Sequence, residues 1–242
     1  MPVADPLRQL PALGPPQPPS VHNELLHILV PVPHNRPDIA LRLAVDAAPG
    51  CGGIAWPAGE VLARYLARHR GPPSLAGARV LELGSGTGLV GLIAARLGAH
   101  VWITDQPPLL PIMANNIRIN DLAPQVTAAE LNWGEPLPCS IPQTFDFVLA
   151  ADCVYFEPAF PLLVATLCAL VPTSSPGPEV LFCYKKRRKA DKRFFALLKK
   201  HFTWTDVDDA SDPERQSYSR EAISLLRLRR RPGSVASPIS KA

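Results

Sequence analysis

The stretch Val80–Gly91, VLELGSGTGLVG, limits the fold of this chain more than any other. VLEL suits a buried strand. Alternating glycines come next, and TGLVGLIAARLG then reads as a helix closed by Gly98. Glycine reaches backbone conformations closed to other residues and lets main chain approach a ligand closely. A helix that begins at such a turn offers unpaired N–H groups and a partial positive charge to an anion. Strand, glycine turn and helix in that order predict an α/β unit with a ligand site at the turn.

The flanking sequence repeats the alternation. HILVPVP and IALRLAVDA predict a β-hairpin ahead of the main domain, and GGIAWPAGEVLARYLARH an amphipathic helix with Pro57 near its start. HVWITD, QVTAAELNW, FDFVLAAD and EVLFCYK read as strands, with LLPIMANNIRIN, AFPLLVATLCALV and ADKRFFALLKKHF as helices. FTWTDVD and AISLLRLRR come last as two strands with no helix expected between them. The pattern implies a mostly parallel sheet with one antiparallel insertion at its edge. Residues 21–230 are read as one domain, residues 1–20 as a disordered Pro-rich tail and residues 231–242 as a flexible C-terminal tail.

Composition narrows the function classes. The net charge of +4 is too small to demand a polyanionic partner, but Lys185–Lys200 holds nine Lys or Arg and one acid, Asp191. That segment reads as a solvated face, a nucleic-acid or nuclear-targeting patch, or a docking surface for a protein substrate. The five cysteines are scattered without zinc spacing, as expected of reduced thiols in a cytosolic or nuclear protein, and no metal site is expected. The N-terminus lacks the apolar core of a signal peptide, and no run is long enough to span a membrane.

Two registers fit the glycine turn. Gly86-Thr-Gly88-Leu-Val-Gly91 satisfies the dinucleotide pattern G-x-G-x-x-G, while Glu82-Leu-Gly84-Ser-Gly86-Thr-Gly88 satisfies the methyltransferase pattern E-x-G-x-G-x-G. The apolar run ends at Leu83, so Gly84 is the first turn glycine, and Gly91 falls inside the helix, where it suits close packing on the sheet. The second register also accounts for Glu82, an acid in an apolar strand. Asp105, 21 positions after Gly84 at the end of the next strand, suits a ribose diol.

Taken together, GGIAWPAG, VLELGSGTGLVG, ITD, LNWGE and AADCVYFE resemble the family-16 seven-strand protein-lysine methyltransferases over about residues 25–230. LFCYKKRRKADKRFF also looks like a fungal branch of that family, which modifies translation elongation factor 1-alpha. The resemblance implies a Rossmann-like class I methyltransferase fold: a seven-stranded, mostly parallel sheet with an N-terminal hairpin extension. It implies S-adenosyl-L-methionine as cofactor, held by Trp56, Glu82, Gly84, Ser85, Gly86, Asp105, Trp133 and Ala151. Trp56 would cover the cofactor, Asp105 accept from the ribose hydroxyls and Trp133 border the adenine. Gly84, Ser85, Gly86 and Ala151 would let backbone approach it. The implied partner is a protein, elongation factor 1-alpha; no membrane or nucleic-acid partner is expected, and the protein would be a cytoplasmic monomer. Many members of the broader family carry an acid after the equivalent CY, where this chain has Lys185.

Asp152-Cys-Val-Tyr155 comes after the fourth parallel strand, at the sheet edge where open α/β folds bind ligands. Asp152 and Tyr155 are the catalytic candidates: Asp152 to orient the incoming amine, Tyr155 to wall the channel and face developing positive charge. Cys153 has no histidine partner nearby and is not expected to be a nucleophile. DCVY lacks the two prolines usual in enzymes that methylate exocyclic base nitrogens. The alternatives are an RNA methyltransferase, an NAD-linked oxidoreductase, for which no acid/base histidine is well placed, and a non-catalytic cofactor-binding interaction protein.

Overall fold

A computed structural model describes residues 24–33, 36–46, 51–70, 75–173, 177–187, 191–207 and 214–234. The tail expected at residues 1–20 lies outside the described residues, as does the part of the expected C-terminal tail (231–242) beyond residue 234; Arg231 and Ser234 are hydrogen-bonded to the segment around His201.

The chain opens with an antiparallel hairpin, β1 (Glu24–Val30) and β2 (Ile39–Val45), and the helix α1 (Pro57–His69). Pro57 occupies the first turn of α1, where its missing N–H costs nothing. Then come β3 (Arg79–Leu83), α2 (Leu89–Arg96), β4 (His100–Asp105), α3 (Leu110–Ile119), β5 (Val126–Glu130), β6 (Phe147–Ala151), α4 (Phe160–Leu170) and β7 (Glu179–Lys185). The last elements are α5 (Asp191–Leu198), β8 (Phe202–Asp206), α6 (Arg215–Arg220) and β9 (Ile223–Arg230).

The main sheet has the order β5-β4-β3-β6-β7-β9-β8, parallel except for β9, which pairs antiparallel with both β7 and β8. The antiparallel strand therefore sits one place in from the edge, and β8 forms the edge. The short helix α6 between β8 and β9 corrects the expectation of a direct connection. Its sequence, RQSYSR, has no apolar period to reveal it. It is held by buried Tyr218 and, from the preceding Glu214, an ion pair of 2.6 Å to Arg68 on α1.

Both sheet faces are covered, which is why the central strands read as near-continuous apolar runs. Val80, Leu149, Leu181 and Cys183 face α1, α2 and α3, while Leu81, Leu83, Val148, Ala150, Val180 and Phe182 face α4 and α5. The chain leaves β3 toward β4 and β5 on one side, then returns to β6 and β7 on the other. The crevice between the carboxyl ends of β3 and β6 is thus the topological switch point, where open α/β sheets bind ligands.

The hairpin is joined to this body by two asparagines on α3. Buried Asn116 accepts from the Ala44 N–H (2.7 Å) and donates to the carbonyls of Ala44 (3.0 Å) and Thr87 (2.9 Å). One turn on, Asn120 accepts from the Arg42 N–H (2.9 Å) and donates to the Arg42 carbonyl (2.6 Å). The two amides pair the open edge of β2 as a neighbouring strand would. Asn116→Ala leaves three backbone groups without their partner, at about 1–3 kcal/mol for each that stays dry. The expected loss is about 2–5 kcal/mol in urea unfolding. A loss below about 1 kcal/mol would show that the hairpin's apolar face alone holds it.

Candidate active site

β3, β4, β5, β6 and β7 are parallel, so the loops leaving their carboxyl ends gather at one edge. From β3 comes the glycine loop, with φ of 59°, 56° and 82° at Gly84, Gly86 and Gly88. These left-handed conformations favour glycine, and space requires it too. A Cβ on Gly84 would lie 3.0 Å from both the Cys153 sulfur and the Trp133 ring, and one on Gly86 would lie 2.4 Å from the Gly52 carbonyl oxygen. The segment Cys51–Gly53 therefore lies over the loop.

Asp105 ends β4 and grips the loop: one carboxylate oxygen accepts from the Gly86 N–H at 2.8 Å, the other from the Gln106 N–H at 2.7 Å. Loss of water around this carboxyl pushes its pKa above the ordinary value, against the pull of those two N–H groups. Ser85 faces inward. Its N–H donates to the Thr104 carbonyl, and its hydroxyl accepts from the Thr104 N–H (2.9 Å) and reaches the Glu82 carbonyl (3.2 Å). It braces the loop against β4, which leaves the flanking glycines to approach a ligand.

Glu82 is buried inside β3 on the side of α2. Its carboxyl accepts from the Gly91 N–H at 2.9 Å, and a Cβ at Gly91 would lie 2.3 Å from Ile103 and 2.8 Å from the Glu82 oxygen. Gly91 thus allows α2 to lie close on the sheet, as its position within the helix suggested.

Ala151 ends β6, and Asp152 comes next with φ 55°, a left-handed conformation that Asp tolerates better than most residues. Its N–H continues the ladder to the Cys183 carbonyl at 2.9 Å. Its carboxylate is turned to the end of β7. Oδ1 accepts from the Lys185 N–H (3.0 Å) and from Arg187 Nη1 (2.9 Å), and Oδ2 accepts from Arg187 Nη2 (3.0 Å). The Arg187 guanidinium lies 5.0 Å from the centroid of the Trp56 ring, which brings Trp56, at the start of α1, to the same edge. Tyr155, three residues after Asp152, is exposed. Cys153 is buried and donates to the Leu83 carbonyl at 3.2 Å; burial pushes its thiol well up, which suits packing rather than nucleophilic attack.

A profile of the lysine methyltransferase family matches residues 35–201. The chain belongs to the lysine methyltransferase family. Protein-lysine N-methyltransferase EFM6 of Saccharomyces cerevisiae is 42% identical, the match covering 79% of this chain and 87% of that protein. Protein N-lysine methyltransferase METTL21A of Danio rerio is 40% identical, covering 65% of this chain and 72% of that one. Among solved structures, the T. thermophilus 16S rRNA N2 G1207 methyltransferase RsmC, in complex with AdoMet and guanosine, shares the fold. Its TM-score is 0.54 at 18% identity, covering 88% of this chain and 52% of that one.

The chain is thus a protein-lysine N-methyltransferase with the Rossmann-like fold of S-adenosylmethionine-dependent enzymes. The residues present fit that cofactor: a glycine-rich loop at the switch point, a carboxylate one strand away that holds the Gly86 N–H, and the Trp133 indole against Gly84. Sequence reasoning missed Arg187, which stood as one cation in a run; only its place two residues beyond β7 sets it apart. The run is also less free than its composition suggested. Lys185 lies 3.7 Å from Glu221, Arg193 pairs with Glu157, and residues 188–190 lie outside the described residues.

The Glu82 carboxyl has its pKa raised from 4.5 to about 8, first by burial and further by the Asp105 charge, against the Gly91 and Ser85 hydrogen bonds. The folded protein therefore keeps this proton at pH values where the unfolded chain has lost it. Stability is lost as pH rises from about 4.5 to about 8, by about 4–5 kcal/mol in all. Glu82→Gln removes this titration. The stability of the variant relative to the parent should rise by about 3–5 kcal/mol between pH 5 and pH 8.5 in chemical unfolding of the ligand-free protein. A difference independent of pH would show that the carboxyl titrates normally.

Proposed function

We propose that this methyltransferase modifies a lysine of translation elongation factor 1-alpha, as a cytoplasmic monomer whose catalytic domain spans residues 21–230. The observation that carries the catalytic reading is the meeting of the glycine loop, Asp105 and Asp152–Tyr155 at one switch point. The substrate reading is supported by the likeness of LFCYKKRRKADKRFF to the branch acting on that factor.

In this reading Asp105 binds the ribose hydroxyls, Gly84 and Gly86 let the backbone approach, Trp133 borders the adenine and Trp56 covers the cofactor. Glu82 and Ser85 hold the loop in shape. When bound, S-adenosylmethionine supplies an electrophilic methyl group: the lysine nitrogen forms the N–C bond as the C–S bond breaks, and the proton of the product passes to water.

The attacking nitrogen must be neutral. At a pKa near 10.4 only about one lysine in 2,500 is neutral at pH 7, equivalent to about 4–5 kcal/mol. Asp152 orients the nitrogen by accepting a hydrogen bond from it, and Tyr155 walls the approach and faces the developing positive charge.

Incubation with labelled cofactor and a cell lysate, then identification of the labelled band, tests the substrate. Label on elongation factor 1-alpha is expected; label sensitive to RNase would show a nucleic-acid substrate instead. Asp105→Ala should weaken cofactor binding by about 1.5–3 kcal/mol in calorimetry, the loss of charge-assisted hydrogen bonds. Asp152→Ala should lower the methylation rate at least ~100-fold with cofactor affinity little changed, and Asp152→Asn, which keeps the shape but loses the charge, should lower it less. Near-parental activity would remove Asp152 from the reaction.

A further inference from the structure

Arg187 is held at three points. Its guanidinium grips Asp152 through two parallel hydrogen bonds (2.9 and 3.0 Å) and lies on Trp56 at 5.0 Å. Its own N–H donates to the buried Asp191 carboxylate at 3.0 Å, at the start of α5. A cation fixed in this way is part of a built site rather than a solvated charge.

Its effect on Asp152 can be counted. A carboxylate offers about four acceptor positions. Lys185 N–H and Arg187 Nη1 fill both on Oδ1, and Arg187 Nη2 fills one on Oδ2, so one remains. The Asp152 side chain is only 4% exposed against 24% for Arg187, so little of the carboxylate is open to solvent.

An unpaired carboxylate beside the reaction would hold a lysine as its ammonium, the form without a lone pair. A carboxylate already neutralised can accept one N–H without favouring that form. Among the described residues, the pair is also met by Asp191, which faces the Arg187 backbone, and by the buried thiols Cys153 and Cys183, whose own ionisation the Asp152 charge opposes.

We propose that Arg187 is a positioning residue for methyl transfer. By neutralising Asp152 and, together with the Lys185 N–H, filling three of its acceptor positions, it makes that carboxylate a single-site acceptor for a neutral amine instead of a counter-ion for an ammonium. The inference rests on the reading that Asp152 faces the transfer site.

The test is the pH dependence of the single-turnover rate, with cofactor and the substrate protein from the labelling experiment both saturating, so that it reports ionisations within the complex. The parent should show a rate rising with pH along a limb centred below the ~10.4 of free lysine. In Arg187→Met the limb should move up by about one unit or more, with a rate ~10-fold lower at pH 7.5 that recovers toward pH 10. Arg187→Lys keeps the charge but loses the two-pronged grip, so its limb should stay near the parent's while its rate falls. Because Arg187→Met leaves a buried carboxylate without its partner, its folding is checked by cofactor titration. Should it fail to fold, the Arg187→Lys limb decides, and a limb displaced as the lost charge would displace it overturns the proposal. An unmoved limb in Arg187→Met overturns it as well, as does a higher rate, which would make the guanidinium a plug. Asp152→Asn separates the two levels. If it is impaired while Arg187→Met keeps the parent's limb, the inference alone falls; if it is as active as the parent, the reading of Asp152 falls with it.

Discussion

Helix α2 lies so close to the sheet that no side chain fits at Gly91, where a Cβ would come within 2.3 Å of Ile103. The site depends on this approach. It sets where α2 begins, and so where the chain must turn after Leu83. A turn that tight draws on the positive φ of Gly84, Gly86 and Gly88. The turn in turn places the Gly86 N–H at 2.8 Å from Asp105, which ties the ends of β3 and β4 together. Packing density, backbone conformation and ligand chemistry are here one constraint seen at three scales.

Two buried carboxyl groups meet that constraint in opposite ways. Glu82 lies between β3 and α2 with the Gly91 N–H as its partner and no cation, and burial raises its pKa to about 8, so it takes up a proton near neutrality. Asp152 lies at the end of β6 and is met by a guanidinium and a main-chain N–H. The first carboxyl ties α2 to the sheet through the Gly91 N–H. The second lies on the switch-point crevice, where an acceptor of fixed orientation has a use. Burial is close to the same for both; the partner decides what each can do.

Much of this is legible in the sequence because it is local or periodic. Strands covered on both faces appear as apolar runs, and the glycine turn announces its own backbone. Asp105 and Asp152 stand out because both sit at strand ends, a position that parallel topology converts into proximity. The unread features are long-range or turned around. Asn116 and Asn120 look like polar helix residues, yet their partners lie on β2, more than seventy residues earlier. Ser85, in the middle of the ligand loop, points away from it to Thr104. Helix α6 is polar except for Tyr218, and the residue before it, Glu214, is tied to Arg68 on α1 by an ion pair that no local pattern encodes.

Arg187 shows most clearly where composition stops being informative. A run of cations reads as surface because solvating charge is the cheaper arrangement. One cation in the run escapes that average because the chain turns sharply at both ends of its reach. The left-handed backbone of Asp152 swings its carboxylate toward β7, and Asp191 holds the Arg187 main chain as α5 begins. Neither turn belongs to the basic run, and their meeting requires β6 and β7 to be neighbours in register, Ala151 against Cys183. The same geometry limits how the remaining cations act. Lys185 and Arg193 are paired with Glu221 and Glu157, while Arg187 acts on a single carboxylate. Among its described residues, a segment of uniform composition is thus divided by the fold into charges that pair with surface carboxylates and one held against Asp152 and Trp56.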